Sequence, residues 1–225
     1  MPLSYVAHGF LGRRSLWRRR QPCRHPVPTL LIATTNPHKL DEIRPLLAGL
    51  PLTLVGLDAH PHVADAEETG TTFAENARLK ALHYHVATGL PAVAEDSGLE
   101  IDALGGAPGV LSSRYPGTTY PEKFDRLYAD VEQRTGGRGS VARFVCALAL
   151  ARDGRIVYET MGTVEGRLAP EPAGDGGFGY DPIFYYPPYG ATLAAVTPEL
   201  KAAVSHRGRA FRALHQHLEA ELAAW

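Results

Sequence analysis

Two adjacent carboxylates stand directly after an apolar run near the middle of the chain. Glu95 and Asp96 follow residues 91–94, which predict a buried strand, and Ser97 and Gly98 come next. Adjacent carboxylates at the end of a strand repel each other unless a metal, a cation or a proton lies between them. Oxygen ligands of this kind suit Mg²⁺, which is usually bound by one or two carboxylates together with substrate phosphates. The pattern predicts a magnesium site, against the alternative of a solvated turn with both acids pointing outward.

Glu67 and Glu68 form a second acidic pair, in the loop before a predicted helix. Residues 72–75 open that helix as a capping box, in which Thr and Glu side chains bond each other's backbone. Two exposed acids in a loop are ordinary, so this pair has a functional meaning only if the fold brings it close to Asp96.

The segment from Thr34 to Lys39 joins a predicted strand to a predicted helix. Asn36 is a favoured N-cap and Pro37 a favoured first helical residue. A helix N-terminus presents free N–H groups and a partial positive charge, which suit a phosphate group, and Lys39 adds a full cation. Because the segment lacks the glycines of a P-loop, an ordinary capped turn is the alternative.

Residues 174–182 read Gly-Asp-Gly-Gly-Phe-Gly-Tyr-Asp-Pro. Glycine lets a ligand approach the backbone closely, and the rings of Phe178 and Tyr180 offer flat faces on which a nucleobase can stack. The loop therefore predicts a flat ligand. The alternative is a turn-rich loop whose two rings are tucked into the core.

Cationic side chains gather near the junction of the last two predicted helical segments, at Lys201, His206 and Arg207. They predict contacts with an anionic or hydrogen-bonding ligand, although the end of a surface helix explains them equally well. The histidines of the chain show no metal-ligand spacing, and no cysteine cluster suggests zinc.

Strands and helices alternate in the first part of the chain, and a long hairpin turning at Asp153-Gly154 follows. This order predicts an α/β fold with a mixed sheet. The helix that begins at Thr72 ends at Gly89 and has an apolar side that includes Phe73, Ala77, Leu82 and Val86. Strands are predicted over 29–33, 52–55, 91–94, 99–103, 141–151, 155–168 and 183–185, and helices over 37–48, 72–89, 121–134, 197–204 and a last segment with Phe211, Leu214, Leu218 and Leu222 at helical spacing. Pro45 is expected to kink or shorten the first helix.

The chain has 225 residues, of which 44% are hydrophobic and 21% charged, as in ordinary globular proteins. Its net charge of −1 is unevenly placed, because residues 1–28 hold six arginines and no acid, which leaves −7 for the remainder. An acidic body needs local cations or a metal to hold an anionic ligand such as a nucleotide.

We interpret residues 1–28 as a disordered basic leader or an over-extended start, and residues 29–225 as one domain; organelle targeting is a further alternative for residues 1–28. Two cysteines, Cys23 and Cys146, are weak evidence for a disulfide and fit a reducing compartment, so we expect a cytoplasmic protein. The longest strongly apolar run, residues 144–151, is too short to cross a bilayer.

Taken together, these segments resemble the inosine triphosphate pyrophosphatases, also called non-canonical purine NTP or dITP/XTP pyrophosphatases. The similarity extends from about residue 30 to about residue 222 and rests on short motifs in the family's order. The motifs are Thr34-Thr35-Asn36…Lys39, Glu67-Glu68-Thr69-Gly70…Phe73…Glu75-Asn76-Ala77…Lys80-Ala81, Glu95-Asp96-Ser97-Gly98-Leu99, Gly105-Gly106-Ala107-Pro108-Gly109, Gly176-Gly177-Phe178-Gly179-Tyr180-Asp181-Pro182 and Ser205-His206-Arg207-Gly208.

The resemblance implies an enzyme that hydrolyses ITP, dITP or XTP to the monophosphate and pyrophosphate with Mg²⁺, and so clears deaminated purines from the nucleotide pool. It also implies two lobes around a long mixed sheet with flanking helices, an active site in the cleft between them, and a homodimer. Neither a nucleic-acid polymer nor a membrane is expected as a partner.

Transferred position by position, the resemblance makes Asp96 the general base and a metal ligand, Glu68 the second metal ligand and Lys39 a catalytic cation. Glu95 is a further candidate ligand, although bacterial members of the family usually have Asp at its position. Thr35 also departs from a frequent glycine. The substrate contacts implied are Thr34, Thr35, Asn36, Lys39, Ser97, Phe178, Gly179, Tyr180, Asp181, Lys201, His206 and Arg207.

Two other functions compete with this one. A housekeeping pyrophosphatase for modified pyrimidine nucleotides would share the general architecture, but the motifs at 176–181 and 205–207 speak against it. A catalytically silent nucleotide sensor is disfavoured because Lys39, Glu68 and Asp96 are all present.

Overall fold

A computed structural model of the chain describes Met1 and residues 27–222. The predicted leader therefore lies almost entirely outside the described residues. The strands are β1 (Thr29–Ile32), β2 (Thr53–Gly56), β3 (Ala92–Ile101), β4 (Val141–Arg152), β5 (Arg155–Leu168), β6 (Phe184–Tyr186) and β7 (Ala191–Thr192). The α-helices are α1 (Pro37–Leu46), α2 (Phe73–Thr88), α3 (Tyr120–Thr135), α4 (Pro198–Val204) and α5 (His206–Glu221).

The strands form one seven-stranded sheet in the order β2-β1-β3-β4-β5-β6-β7. Strand β1 pairs in parallel with β2 and β3, whereas all later neighbours are antiparallel. Parallel neighbours need a crossover, and α1 and α2 supply it. The predicted α/β class with a mixed sheet and flanking helices is confirmed.

The long hairpin β4–β5 forms at the predicted turn. Asp153 and Gly154 both have positive φ, 53° and 74°, as a two-residue hairpin turn requires. Arg152 pairs with Arg155 directly across it. The pair of long strands extends the centre of the sheet away from β1 and β2.

The predicted break between two strands at residues 95–98 is wrong. Strand β3 runs without interruption, and β4 pairs with every residue of it, from Ala92 opposite Ala151 to Ile101 opposite Ala142. Gly98 is a strand residue that pairs with Val145, and its φ is not positive. An added Cβ there would collide with Ser112, so a close approach explains the glycine. The acidic pair thus lies inside a strand.

Helices cover both faces of the sheet. Helix α2 packs Phe73, Ala77 and Ala81 against one face, while α1 and α5 cover the other with Ile43, Leu47, Phe211, Leu214 and Leu218. The capping box at Thr72 and the left-handed Gly89 at the end of α2 are confirmed. Val86 was predicted on the apolar side of α2, but its side chain is 76% exposed. Tyr84 is buried there instead.

Helix α1 ends at Leu46, one residue after Pro45 and before the predicted end at Ala48. The proline thus lies in the last turn, and the Asn36 cap at the other end is regular. Cys146 is a buried free cysteine, and Cys23 lies outside the described residues. Among the described residues, no helix is both long and apolar enough to span a bilayer.

Candidate active site

A cavity of about 410 Å³ opens beside β3. It is lined by every site residue that the resemblance implied, although these come from segments far apart in the chain, whereas Glu67 of the second acidic pair does not line it. The site residues that line it are Thr34, Thr35, Asn36, Lys39, Glu68, Glu95, Asp96, Ser97, Phe178, Gly179, Tyr180, Asp181, Lys201, His206 and Arg207. The fold therefore brings together the predicted phosphate, acid and base-binding segments.

The cavity exists because β1 is shorter than β3. Strand β1 pairs with β3 only at Ala92 and Val93, so the same edge of β3 has no strand partner beside residues 94–99, before Glu100 bridges to Pro108. Glu95 and Asp96 lie on this free edge, directly beyond the end of β1. Side chains of both faces of β3 can reach the cavity at such an edge, which explains how neighbouring carboxylates both line it.

Asp96 meets a lysine that sequence reasoning had not assigned a role. The Nζ of Lys80 lies 2.9 Å from Oδ1 of Asp96 and 2.8 Å from Oε1 of Glu68. Asn76 donates to the other Asp96 oxygen at 3.2 Å. Burial raises the pKa of Asp96, and Lys80 opposes that rise. The loop acid Glu68 thus faces Asp96, the condition on which its predicted role depended.

Glu95 has a different set of partners. Its carboxylate is buried and accepts from Lys39 at 2.8 Å, from Arg207 at 3.1 Å and from the thiol of Cys146 at 3.4 Å. Burial alone would raise the pKa of Glu95, but the charges of Arg207, Lys39 and Lys80 outweigh it and hold the pKa well below its usual range. Glu95 is therefore a carboxylate that neutralises buried cations.

The N-terminus of α1 does not offer the free N–H groups that the sequence predicted. The side chain of Asn36 accepts from the backbone N–H groups of His38 and Lys39, at 3.0 and 3.4 Å, and Pro37 has no N–H. The N–H of Asn36 donates to Thr34 Oγ1 at 3.2 Å. Because the cap satisfies these donors, contact with an anion falls to the polar side chains of the turn and to Lys39.

The glycine-rich loop supplies one wall at the other end of the cavity. Phe178 is half-buried, with Lys201 Nζ 4.7 Å and the Arg207 guanidinium 5.5 Å from its ring centroid. Tyr180 is buried and donates its hydroxyl to the carbonyl of Ser112 at 2.7 Å. Phe178 is thus the ring that can meet a ligand, and Tyr180 fixes the loop from behind.

Asp181 and Lys201 hold this loop to the last helices. The Asp181 carboxylate is buried, accepts from the backbone N–H of Phe178 at 2.7 Å, and pairs with Lys201. Lys201 also pairs with Glu42 of α1 at 2.6 Å, and Glu42 pairs with Arg207 at 2.7 Å. Burial raises the pKa of Asp181 against the opposing charge of Lys201.

Comparison with known proteins shows which family the chain belongs to. The model of the Ham1 family matches residues 30–217, which is most of the chain. The chain belongs to the Ham1 family. A dITP/XTP pyrophosphatase of Streptomyces coelicolor is 49% identical over 189 residues, covering 82% of this chain and 94% of the relative. One of Gloeobacter violaceus is also 49% identical, over 185 residues, covering 82% of this chain and 91% of the relative.

Solved structures of other Ham1 proteins have the same fold. The HAM1 protein of Coxiella burnetii superposes with a TM-score of 0.78 at 42% identity, covering 86% of this chain and 99% of its own. The Ham1 protein of Staphylococcus aureus gives 0.76 at 34% identity, with the same shares covered. The resemblance that the motifs indicated is therefore confirmed.

Two buried nitrogens at the Phe178 end of the cavity are without hydrogen-bond partners within the described part of the chain. They are Nδ1 of His206 and Nε of Arg207. Burial and the charge of Arg207 hold the pKa of His206 well below its usual range, so its ring is neutral. The other Arg207 nitrogens bond Glu42, Glu95 and Ser97. A buried polar atom without a partner costs stability, so a bound ligand can satisfy these two.

The donor set near Asp96 fits a magnesium ion. Glu68 and Asp96 both contact the single ammonium of Lys80, so their carboxylates lie close enough together to share one cation. No group of three or more His, Cys, Asp or Glu side chains within residues 27–222 is arranged to hold a metal. Mg²⁺ needs only one or two carboxylates when substrate phosphates and water complete its shell.

The residues that sequence reasoning missed lie on the helices that line the cavity. Asn76 and Lys80 are four residues apart on α2, and Lys39 and Glu42 are three apart on α1, so each pair shares one helix face. That spacing was the available signal. Arg114, which pairs with Glu68 at 2.8 Å, is exposed and gave no signal.

Proposed function

We propose that this protein is a pyrophosphatase that hydrolyses non-canonical purine nucleoside triphosphates, such as ITP, dITP and XTP, with Mg²⁺. The observation that carries the proposal is that one cavity joins the Glu68–Lys80–Asp96 cluster to the ring of Phe178 and the unpartnered nitrogens of His206 and Arg207. Its volume of about 410 Å³ lies within the range of small-ligand sites. The curated relatives named dITP/XTP pyrophosphatase support the same reaction.

The acidic end is assigned to the phosphates and the attacking water. Glu68 and Asp96 would hold the Mg²⁺, and the ion would supply positive charge that neutralises the phosphates. Asp96 orients the water and accepts its proton, while Asn76 and Lys80 fix the carboxylate. Lys39 leaves Glu95 for a phosphate oxygen and, with Thr34, Thr35 and Asn36, anchors the triphosphate.

The other end is assigned to the base. A purine lies against Phe178, and its 6-oxo group accepts from the N–H at Nε of Arg207 and from Nδ1–H of the neutral His206 ring. These are the two nitrogens that otherwise have no partner. Adenine has an amino donor at this position and would leave both donors unsatisfied. A site built around a hydrogen bond can reject such an analogue by factors of about 10⁴–10⁵ in favourable cases.

Release of pyrophosphate from a panel of triphosphates tests the proposal. With Mg²⁺ present, we expect turnover of ITP, dITP and XTP at kcat/KM values at least about 100-fold above those of ATP. Removal of the metal with EDTA should abolish turnover. The same panel includes modified pyrimidine nucleoside triphosphates as alternative substrates.

Other outcomes would replace the proposal with another function. Preferred turnover of pyrimidine nucleotides would make the protein a pyrimidine-pool enzyme. Tight nucleotide binding without any release would make it a sensor. We further propose, from the resemblance to the family, that the protein is a cytoplasmic homodimer; light scattering after size-exclusion chromatography should give twice the mass of 24.3 kDa.

A further inference from the structure

His38 stacks on the ring of Phe178. The two ring centroids are 5.4 Å apart and the planes differ by 15°. His38 belongs to the first turn of α1, whereas Phe178 belongs to the glycine-rich loop, so the contact joins segments that are distant in the chain. The side chain of His38 is otherwise exposed and does not line the 410 Å³ cavity.

Phe178 stands between two cavities. The larger one is the candidate active site, and Arg207 borders it but not the second. The second cavity, of about 210 Å³, is bordered by His38 and not by Arg207. Lys201 and Phe178 border both. His38 therefore covers Phe178 from the side of the second cavity, away from Glu68 and Asp96, which border the first.

On the side of the second cavity, His38 is the aromatic side chain that contacts the ring, and Lys201, which borders both cavities, is its cationic neighbour. Phe178 lies between two glycines of positive φ, Gly177 at 67° and Gly179 at 66°, and its backbone N–H and carbonyl both bond Asp181. The second cavity lies next to the ring and offers space into which it could rotate. An aromatic partner at the mouth of that space restricts the rotation.

We propose that His38 is a positioning residue that holds the ring of Phe178 in the orientation in which the purine base binds against it. The inference rests on the proposed function and deepens it, because it separates base affinity from the chemical step. Lys39, the next residue, points into the cavity and pairs with Glu95, so the first turn of α1 contacts the phosphate end with one residue and supports the base wall with the other.

Three variants test this role: His38→Ala removes the stack, His38→Phe keeps an aromatic ring, and His62→Ala removes an exposed histidine outside the cavity. We expect His38→Ala to raise KM for ITP between about twofold and tenfold, as a lost aromatic pair predicts, with kcat within about twofold. His38→Phe should restore KM, and His62→Ala should not change it. Calorimetry with inosine monophosphate should show the same loss of affinity and the same rescue.

The outcomes separate this inference from the proposed function. Normal turnover by the wild type with unchanged KM and monophosphate affinity in His38→Ala would overturn the positioning role alone. A fall in kcat without a change in KM would overturn it as well, because it would place His38 at the phosphate end. If the wild type released no pyrophosphate, the proposed function would fail, and binding of inosine monophosphate would still decide the role of His38. Weaker binding by His38→Ala that His38→Phe restores would support the positioning role. Unchanged binding by His38→Ala, or no binding by the wild type, would refute it.

Discussion

Glu95 and Asp96 are neighbours in the sequence but not in their surroundings. Successive side chains of a strand point to opposite faces, so Glu95 meets Lys39 and Arg207, whereas Asp96 meets Lys80 and Asn76. Each of the two adjacent acids therefore has a cation in direct contact, Lys39 and Arg207 for Glu95 and Lys80 for Asp96. At the scale of single residues, this predicts that neutralising Asp96 mainly lowers turnover, whereas neutralising Glu95 mainly lowers stability.

Replacing Asp96 with Asn should abolish turnover and leave nucleotide binding largely intact. The amide keeps the shape of the side chain but can neither accept a proton from water nor offer a charge to a metal. Steady-state pyrophosphate release and calorimetric binding of ITP measure the two effects separately. Turnover near that of the wild type would contradict the assignment of Asp96 as the general base.

Replacing Glu95 with Gln should mainly lower stability. The side chain of Glu95 is 2% exposed and that of Arg207 is 1% exposed, so the change leaves a buried guanidinium short of its counter-charge. Loss of one partner of a buried pair costs about 3–5 kcal/mol.

Urea unfolding measures that loss of stability. Glu165→Gln is the matched control, because Glu165 pairs with Arg143 at the surface with 63% of its side chain exposed. It should cost less than about 1 kcal/mol. Equal effects of the two substitutions would show that the buried network contributes no more than a surface pair.

At the scale of secondary-structure elements, β3 determines how the site is built. Its continuous pairing with β4 fixes the acid pair on a rigid strand, and the early end of β1 leaves an open edge beside it. The strand also needs a residue without a side chain at Gly98, because Ser112 and Phe73 occupy the space. Ser112 in turn accepts from the N–H of Leu99 at 2.9 Å.

Gly98→Ala should therefore destabilise the fold by about 1–3 kcal/mol, the usual cost of overpacking. The added methyl group forces Ser112 away and disturbs its bond to Leu99. Thermal unfolding of this variant is compared with that of Gly137→Ala, where an added Cβ meets nothing within 4 Å. A stability of Gly98→Ala equal to that of the control would refute the close packing.

Much of the element order follows from local chemistry in the sequence. The capping box at Thr72, the cap at Asn36, the hairpin turn at Asp153 and the spacing of Phe211, Leu214 and Leu218 each carry a local signal, and all were predicted. The break at residues 95–98 was predicted wrongly because a polar stretch with glycine resembles a turn. Only pairing with the distant β4 keeps that stretch extended, and no local signal reports it.

At the scale of the whole molecule, the site joins segments that lie up to about 170 residues apart in the chain. The sequence could name many of the polar residues that line the cavity, since their motifs are local. Their pairing could not be predicted: Lys80 between Glu68 and Asp96, or Glu42 between Lys201 and Arg207, depends on how the helices cover the sheet. Lys80, Lys201 and Arg207 each have a carboxylate partner, so the net charge of −1 hides a site rich in paired charges.

Product analysis with dITP tests the central claim most directly. A single cavity that holds phosphates at Asp96 and the base at Phe178 predicts Mg²⁺-dependent cleavage between the α- and β-phosphates. We expect one pyrophosphate for each deoxyinosine monophosphate and no orthophosphate. Release of orthophosphate with the diphosphate, or no cleavage of dITP at all, would contradict the account.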